Sequence, residues 1–289
     1  MKQLLDYWKA RLAYAPALEL PTDKPRPAVQ SLSGENRQFK LPTGLTDGIK
    51  ALSRREGVTL FMTLVSAFQI LLHRYTGQDD IVIGTLTVRQ SSLELEGLNG
   101  IFGNPLVLRT DLSYNPSFRE LLTQVREVTL GAYANKNVPF EKLVEALNLQ
   151  SNSSRNPLFQ VMFLLQNTPD EKIQLNEASA KNLQINPGTT KFDLTLELTK
   201  TPDGLAGRVE YATDLFEAAT IDRLIGHYQT LLAGIVAHPD ARLSELPLLT
   251  EPERRQLLLE WNDTAAELPD DPFIYQLFEE QVERTVSAK

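Results

Sequence analysis

Apolar positions recur along the chain with two periods, one helical and one extended, and the alternation between them predicts a mixed α/β architecture. Leu4, Leu5, Trp8 and Leu12 fall at helical spacing and predict a helix from Lys2 to Ala13. Pro16, Pro21, Pro25 and Pro27 then exclude regular structure as far as Ala28. Arg37 to Leu41 reads as a short strand. Leu45, Ile49 and Leu52 mark a helix that follows Thr43 and closes at Gly57. Thr59 is placed to cap a helix bearing Phe61, Leu64, Val65, Phe68, Leu71 and Leu72, apolar nearly all round and therefore a core helix. Asp80 to Gly84 reads as a buried strand by its β-branched content, followed by a loop from Thr85 to Gln90. Gly97 and Gly100 bracket a turn, and Pro105 to Arg109 is a strand. A long helix after Pro116 carries Phe118, Leu121, Leu122, Val125 and Val128, and Pro139 starts another.

The later half repeats the scheme. Phe159, Val161, Phe163 and Leu165 alternate with Gln160, Met162, Leu164 and Gln166, so a strand from Phe159 to Gln166 is apolar on both faces and covered on both sides. Phe192, Leu194, Leu196 and Leu198 face inward, while Asp193, Thr195 and Glu197 face outward. The turn at Pro202-Asp203-Gly204 and a return strand through Leu205, Val209 and Tyr211 complete a hairpin with one wet face. Phe216 to His238 reads as a long helix.

Composition narrows the function classes. The chain has 289 residues, 42% of them hydrophobic and 23% charged, a globular balance with room for a sizeable core. The net charge of −8 and the lack of a Lys/Arg cluster argue against a nucleic-acid partner. Absence of cysteine excludes disulfides and thiolate chemistry. The amphipathic N-terminus is no signal peptide, and Thr59 to Tyr75 is too short and too polar to span a membrane, so a cytoplasmic location is expected. His73, His227 and His238 share no motif with a carboxylate, and no Gly-x-Ser-x-Gly elbow or metal-ligand spacing occurs.

One stretch concentrates polar chemistry at the mouth of a core strand: Ser151 to Gln166, SNSSRNPLFQVMFLLQ. Asn before Pro is a turn signal, so a polar loop delivers Arg155 and Asn156 to the strand's entry, where α/β scaffolds place binding sites. The same residues also read as a plain turn, with Arg155 pairing to a nearby carboxylate. The stretch resembles the SRNPLFQVMF signature of condensation domains in nonribosomal peptide synthetases. Two further stretches resemble the same family in the same order, Asn99 to Arg109 (NGIFGNPLVLR) and Ala134 to Glu141 (ANKNVPFE). Tyr7-Trp8 and LPTDKPRP (Leu20 to Pro27) fit the family's entry into its C-terminal lobe. Gly103 and Pro105 replace the family's Val and Thr around Asn104, and Asn135-Lys136-Asn137 stands where His-Gln-Asp is frequent.

The resemblance implies a chloramphenicol-acetyltransferase-like fold, a mixed sheet flanked by helices. It also implies amide formation between thioesters tethered to carrier proteins, with the phosphopantetheine arm as substrate tether and no bound cofactor. The family's His-His-x-x-x-Asp-Gly signature, which serves the amine, occurs nowhere in the sequence. The expectation is therefore a C-terminal half that forms the acceptor side of the tunnel and is inactive alone. Residues 1–28 would be an entry helix and Pro-rich inter-lobe segment, 29–245 the C-lobe, and 246–289 a linker running into the first adenylation helix, both ends cut within a larger synthetase. Asn156, Arg155, Asn104 and Gly103 are the tunnel or oxyanion candidates. Arg89 and Glu141 are the inter-lobe candidates, each also explicable as an exposed loop cation or a helix-start residue. No catalytic residue and no metal ligand is expected. The implied partners are the missing N-lobe, peptidyl carrier proteins and an adenylation domain, with self-association of the lone lobe. A non-catalytic docking module and a truncated gene product are the alternatives.

Overall fold

The computed structural model describes residues 2–88, 103–148, 153–166, 174–175, 178–179, 188–264 and 274–285. Two compact units divide at Leu249. In the first, Lys2–Leu12 forms α1, Gly34–Leu41 β1, Thr43–Arg55 α2, Leu60–Thr76 α3, Asp80–Val88 β2 and Gly103–Asp111 β3. Phe118–Ala134 (α4), Phe140–Ala146 (α5) and Val161–Gln166 (β4) follow. Gln174–Leu175 (β5) and Ala178–Ser179 (β6) pair as a minimal ladder. Leu194–Thr201 (β7), Gly204–Ala212 (β8) and Ala218–Ala237 (α6) complete the unit. The second unit holds Glu251–Arg255 (α7), a π-helical turn at Gln256–Glu260, and Ile274–Thr285 (α8).

The helix limits follow local chemistry. Thr59 caps α3 by accepting from Met62 N, and Gly77 ends the helix in the left-handed region, φ 69°. Ser117 and Glu120 close a capping box at the start of α4. Pro42 and Pro139 precede α2 and α5, where a missing N–H carries no penalty.

Six strands form one mixed sheet in the order β1-β8-β7-β4-β2-β3. β7 and β2 run parallel to β4, and the remaining pairs are antiparallel. α3 lies against this sheet with α2, α4 and α6 packed on it. Phe163 of β4 meets Phe61 and Phe68 of α3 at 5.5 and 5.8 Å, and Phe68 meets Tyr228 of α6 edge-on at 6.2 Å. The Tyr228 hydroxyl donates to Leu64 O at 3.0 Å, and full burial pushes its pKa far above that of a free phenol. Among the described residues, no single helix is long and apolar enough to cross a membrane.

Three expectations are corrected. The loop expected from Thr85 is strand as far as Val88, because β2 pairs with β3 in unbroken register from Asp80↔Asp111 to Val88↔Gly103. The strand expected from Phe159 begins at Val161. Leu158 is in the left-handed region (φ 70°) and Phe159 N donates to Pro157 O at 2.9 Å, a tight turn before pairing starts. The wet face of the hairpin is not wet. Asp193, Thr195 and Glu197 are 1%, 8% and 8% exposed, because β7 is central and its neighbours bring polar partners. Arg208 of β8 donates to Glu197 Oε2 at 3.0 and 2.5 Å, and Gln166 of β4 donates to Oε1. The turn at Gly97 and Gly100 and the loop arginine Arg89 lie outside the described residues.

Candidate functional site

The three motif stretches meet through Asn104, Phe140 and Phe159, but their polar candidates stand at opposite ends of the central strands: Asn104 pairs with Thr87 at the C-terminal end of β2, while Arg155 and Asn156 precede β4, which runs parallel to β2 with Met162 beside Gly84. Asn104 opens β3 and is 4% exposed. Its Nδ2 donates to Lys136 O (2.9 Å) and Val138 O (2.8 Å), and its Oδ1 accepts from Phe140 N at 3.2 Å. Both amide hydrogens are thus engaged in fixing the segment that starts α5. Phe140 in turn meets the Phe159 ring edge-on at 5.7 Å, and Phe159 stacks on Phe192 at 5.3 Å. The Phe159 ring lies over Gly84 of β2, where a Cβ would overlap it. Gly103 is exposed, with Leu86 Cδ2 3.9 Å from the position a Cβ would take, and Glu141 is exposed in the first turn of α5.

The polar loop before β4 is held from the other side. Arg155 donates Nη1 and Nη2 to the two carboxylate oxygens of Glu19, at 2.6 and 2.7 Å. This pairing holds the Glu19 carboxyl below the usual carboxylate range and the Arg155 guanidinium above its own. The nearby-carboxylate pairing considered from sequence is therefore the one the fold contains. Asn156 Nδ2 donates to Lys191 O at 2.6 Å and to Gln30 Oε1 at 3.3 Å. The buried Gln160 donates to Asn156 O and accepts from Leu18 N, at 3.0 and 3.3 Å. Arg26 forks onto Asp193, with Nη1–Oδ1 at 3.0 Å, and also reaches Ser154 O at 3.3 Å.

A family model for the condensation domain matches residues 1–258. The chain belongs to the condensation-domain family of nonribosomal peptide synthetases. Curated relatives include a polypeptide of the linear gramicidin synthase of Brevibacillus parabrevis, 49% identical over 280 residues covering 96% of this chain and 6% of the relative. Chondramide synthase of Chondromyces crocatus is 44% identical over 284 residues, covering 98% of this chain and 7% of the relative. The chain thus spans a small fraction of the curated proteins it matches. Among solved structures, the X-domain from teicoplanin biosynthesis superposes with a TM-score of 0.79 at 29% identity, covering 86% of this chain and 57% of that one. A four-domain nonribosomal peptide synthetase bound to AMP and glycine gives a TM-score of 0.80 at 26% identity, covering 87% of this chain and 20% of that one. The fold is that of the chloramphenicol-acetyltransferase-like condensation domains, a mixed sheet flanked by helices.

The histidines of this condensation-domain chain have partners away from the loop. His73 Nδ1 lies 2.8 Å from Gln78 O at the end of α3, His227 Nδ1 lies 2.7 Å from the Tyr75 hydroxyl, and His238 is the C-cap of α6. Among the described residues, no three His, Cys, Asp or Glu side chains form a metal-binding group. The residues that sequence reasoning missed are Glu19, Arg26, Gln160 and Asp193. Their one local signal is that each is polar within an otherwise apolar or proline-rich run. Glu19 lies 136 residues from Arg155, Arg26 167 from Asp193 and Gln160 142 from Leu18, separations that no local pattern reports.

Proposed function

We propose that this chain is the C-terminal half of a condensation domain and forms the acceptor-side wall of the tunnel in which carrier-bound aminoacyl or peptidyl thioesters are joined. In that reaction the acceptor amine attacks the donor thioester carbonyl, a tetrahedral oxyanion forms, the amine loses a proton, and the donor thiol leaves as the amide forms. Much of the rate comes from holding two tethered reactants in one water-poor channel. Asn156, Arg155, Asn104 and Gly103 are the tunnel-wall candidates, and Arg89 and Glu141 the inter-lobe candidates. The phosphopantetheine arm is a substrate tether rather than a resident cofactor. The partners are a donor N-lobe, carrier proteins and an adenylation domain, with residues 246–289 as linker and first adenylation helix, 29–245 as the lobe and 1–28 as its entry segment.

The observation that carries this reading is a contrast. Three ordered motifs meet around Asn104, Phe140 and Phe159, yet the His-His-x-x-x-Asp-Gly signature is absent from all 289 residues. Its test is reconstitution. The chain is mixed with a separately expressed donor lobe and two loaded carriers, and amide product is followed by mass spectrometry. Product from the mixture alone is expected. No product from any donor lobe that binds the chain would leave a docking role in its place.

A further inference from the structure

The loop carrying Arg155 and Asn156 is clamped by a segment that none of the tunnel candidates belongs to. From Leu18 to Gln30 the chain lies outside helix and strand and carries Pro21, Pro25 and Pro27, each with a fixed φ. Its outer end is fixed by Gln78, whose side chain accepts from Glu19 N at 2.7 Å and donates to Ala17 O at 3.0 Å. From that fixed point the Glu19 carboxylate takes both terminal nitrogens of Arg155. Its inner end is fixed by the ion pair of Arg26 with Asp193, the latter 1% exposed. Beyond it, Gln30 N donates to Ser153 O and Ser153 Oγ donates to Ala28 O, each at 2.9 Å. The Glu19 carboxylate, Arg26, Ala28 and Gln30 thus hold residues 153–155 and Asp193 at the entry to β7, while between them Asp23 and Lys24 are bonded to residues 213–220.

We infer that Arg155 acts in amide formation as a positioning residue, through Glu19, and that the segment from Leu18 to Gln30 is the strap that sets where the loop before β4 stands. The inference rests on the proposed function and deepens it. Arg155 directs its Nη1 and Nη2 at Glu19 in a matched fork, so substrate need not be its partner. The buried Arg26–Asp193 pair is the permanent anchor, and the more exposed Glu19–Arg155 pair is the adjustable one, with the Glu19 side chain 62% exposed.

Charge reversal separates positioning from substrate contact. In the domain assembled from the full chain and a donor lobe, Arg155→Glu and Glu19→Arg are each expected to lower kcat about 10-fold, with KM for the acceptor substrate little altered, since misplacement by an ångström is costly to rate. The double variant Glu19→Arg/Arg155→Glu restores the pair and is expected to recover kcat to within about threefold of wild type, because contacting residues are not additive. A double variant as slow as Arg155→Glu alone, or a Glu19→Arg variant with unaltered kcat, overturns the inference. Hydrogen exchange on the chain alone supplies a readout independent of activity. The Gln30 amide, bonded to Ser153 O, is expected to exchange faster in either single variant and to regain protection in the double variant. If the wild-type assembly forms no amide, the proposed function fails, and unaltered Gln30 exchange in Arg155→Glu would overturn the strap itself.

Discussion

Phe159 lies over Gly84, and the absence of a side chain at Gly84 is what lets this aromatic, two residues before β4, reach the sheet. Gly84 stands opposite Met162 in the parallel β2–β4 pair, so the ring closes the sheet at the point where the two strands meet. Phe140 and Phe192 both contact the ring. Residues from separate motifs are thereby joined in one aromatic group. Gly84→Ala is expected to destabilise the chain by about 1–3 kcal/mol, the usual cost of overpacking, read as a lowered denaturant midpoint with unchanged slope. An unaltered midpoint would mean that the ring moves aside freely.

Asn104 presents a buried amide with all of its described bonds directed at backbone. Asn104→Ala leaves Phe140 N–H, Lys136 C=O and Val138 C=O short of a partner and is expected to cost about 2–3 kcal/mol. Asn104→Asp keeps the acceptor for Phe140 N but sets a carboxylate against two carbonyls, so it is expected to be no better than alanine. Urea unfolding of the three proteins orders them. A stable Asn104→Asp variant would contradict the clamp.

The Arg26–Asp193 pair lies inside the fold, with side chains 18% and 1% exposed. Asp193→Ala leaves a largely buried guanidinium without its counter-charge and is expected to cost about 3–5 kcal/mol, nearer the lower figure because Ser154 O remains as an acceptor. Asp193→Asn retains an acceptor and is expected to lose less. Equal midpoints for all three proteins would show that the pair is idle.

Glu19 gives the pH dependence. Its carboxyl is held below the usual range chiefly by hydrogen bonds from Arg155. A depressed folded-state pKa means that the contribution of the pair is present above the unfolded value and is lost as pH falls through the folded one. The strap is therefore expected to loosen only in acid below the ordinary carboxylate range. NMR titration of the Glu19 carboxyl should show the low value, and Arg155→Gln should return it towards the ordinary one. A carboxyl titrating normally in the wild type would contradict the pairing.

Helices were legible where one residue sets the end. Thr59 starts α3 because cap chemistry acts within a few residues, and the apolar girth of the helix announced its burial, whereas the end at Gly77 was not read from the sequence. Strand limits were less legible because pairing is non-local. Nothing in Thr85-Leu86-Thr87-Val88 alone says that Gly103 to Leu106 will pair with it. Thr195 and Glu197 alternate like an exposed face, but Gln166 and Arg208, from different strands, enclose Glu197. The sequence singled out Arg155, Asn156 and Asn104 as candidates, and a carboxylate partner for Arg155, but not which carboxylate. Glu19 is 136 residues from Arg155 in the chain, and only the folded strap brings them together.

The measurement that bears most directly on the central claim uses a damaged partner. The chain is assembled with a donor lobe whose second signature histidine is replaced by alanine, and amide formation between loaded carriers is timed against the intact assembly. If this chain supplies a wall and a positioned loop but no proton acceptor, the damaged assembly forms product at a rate far below the intact one. Product at an undiminished rate would place the base in this chain and contradict the account.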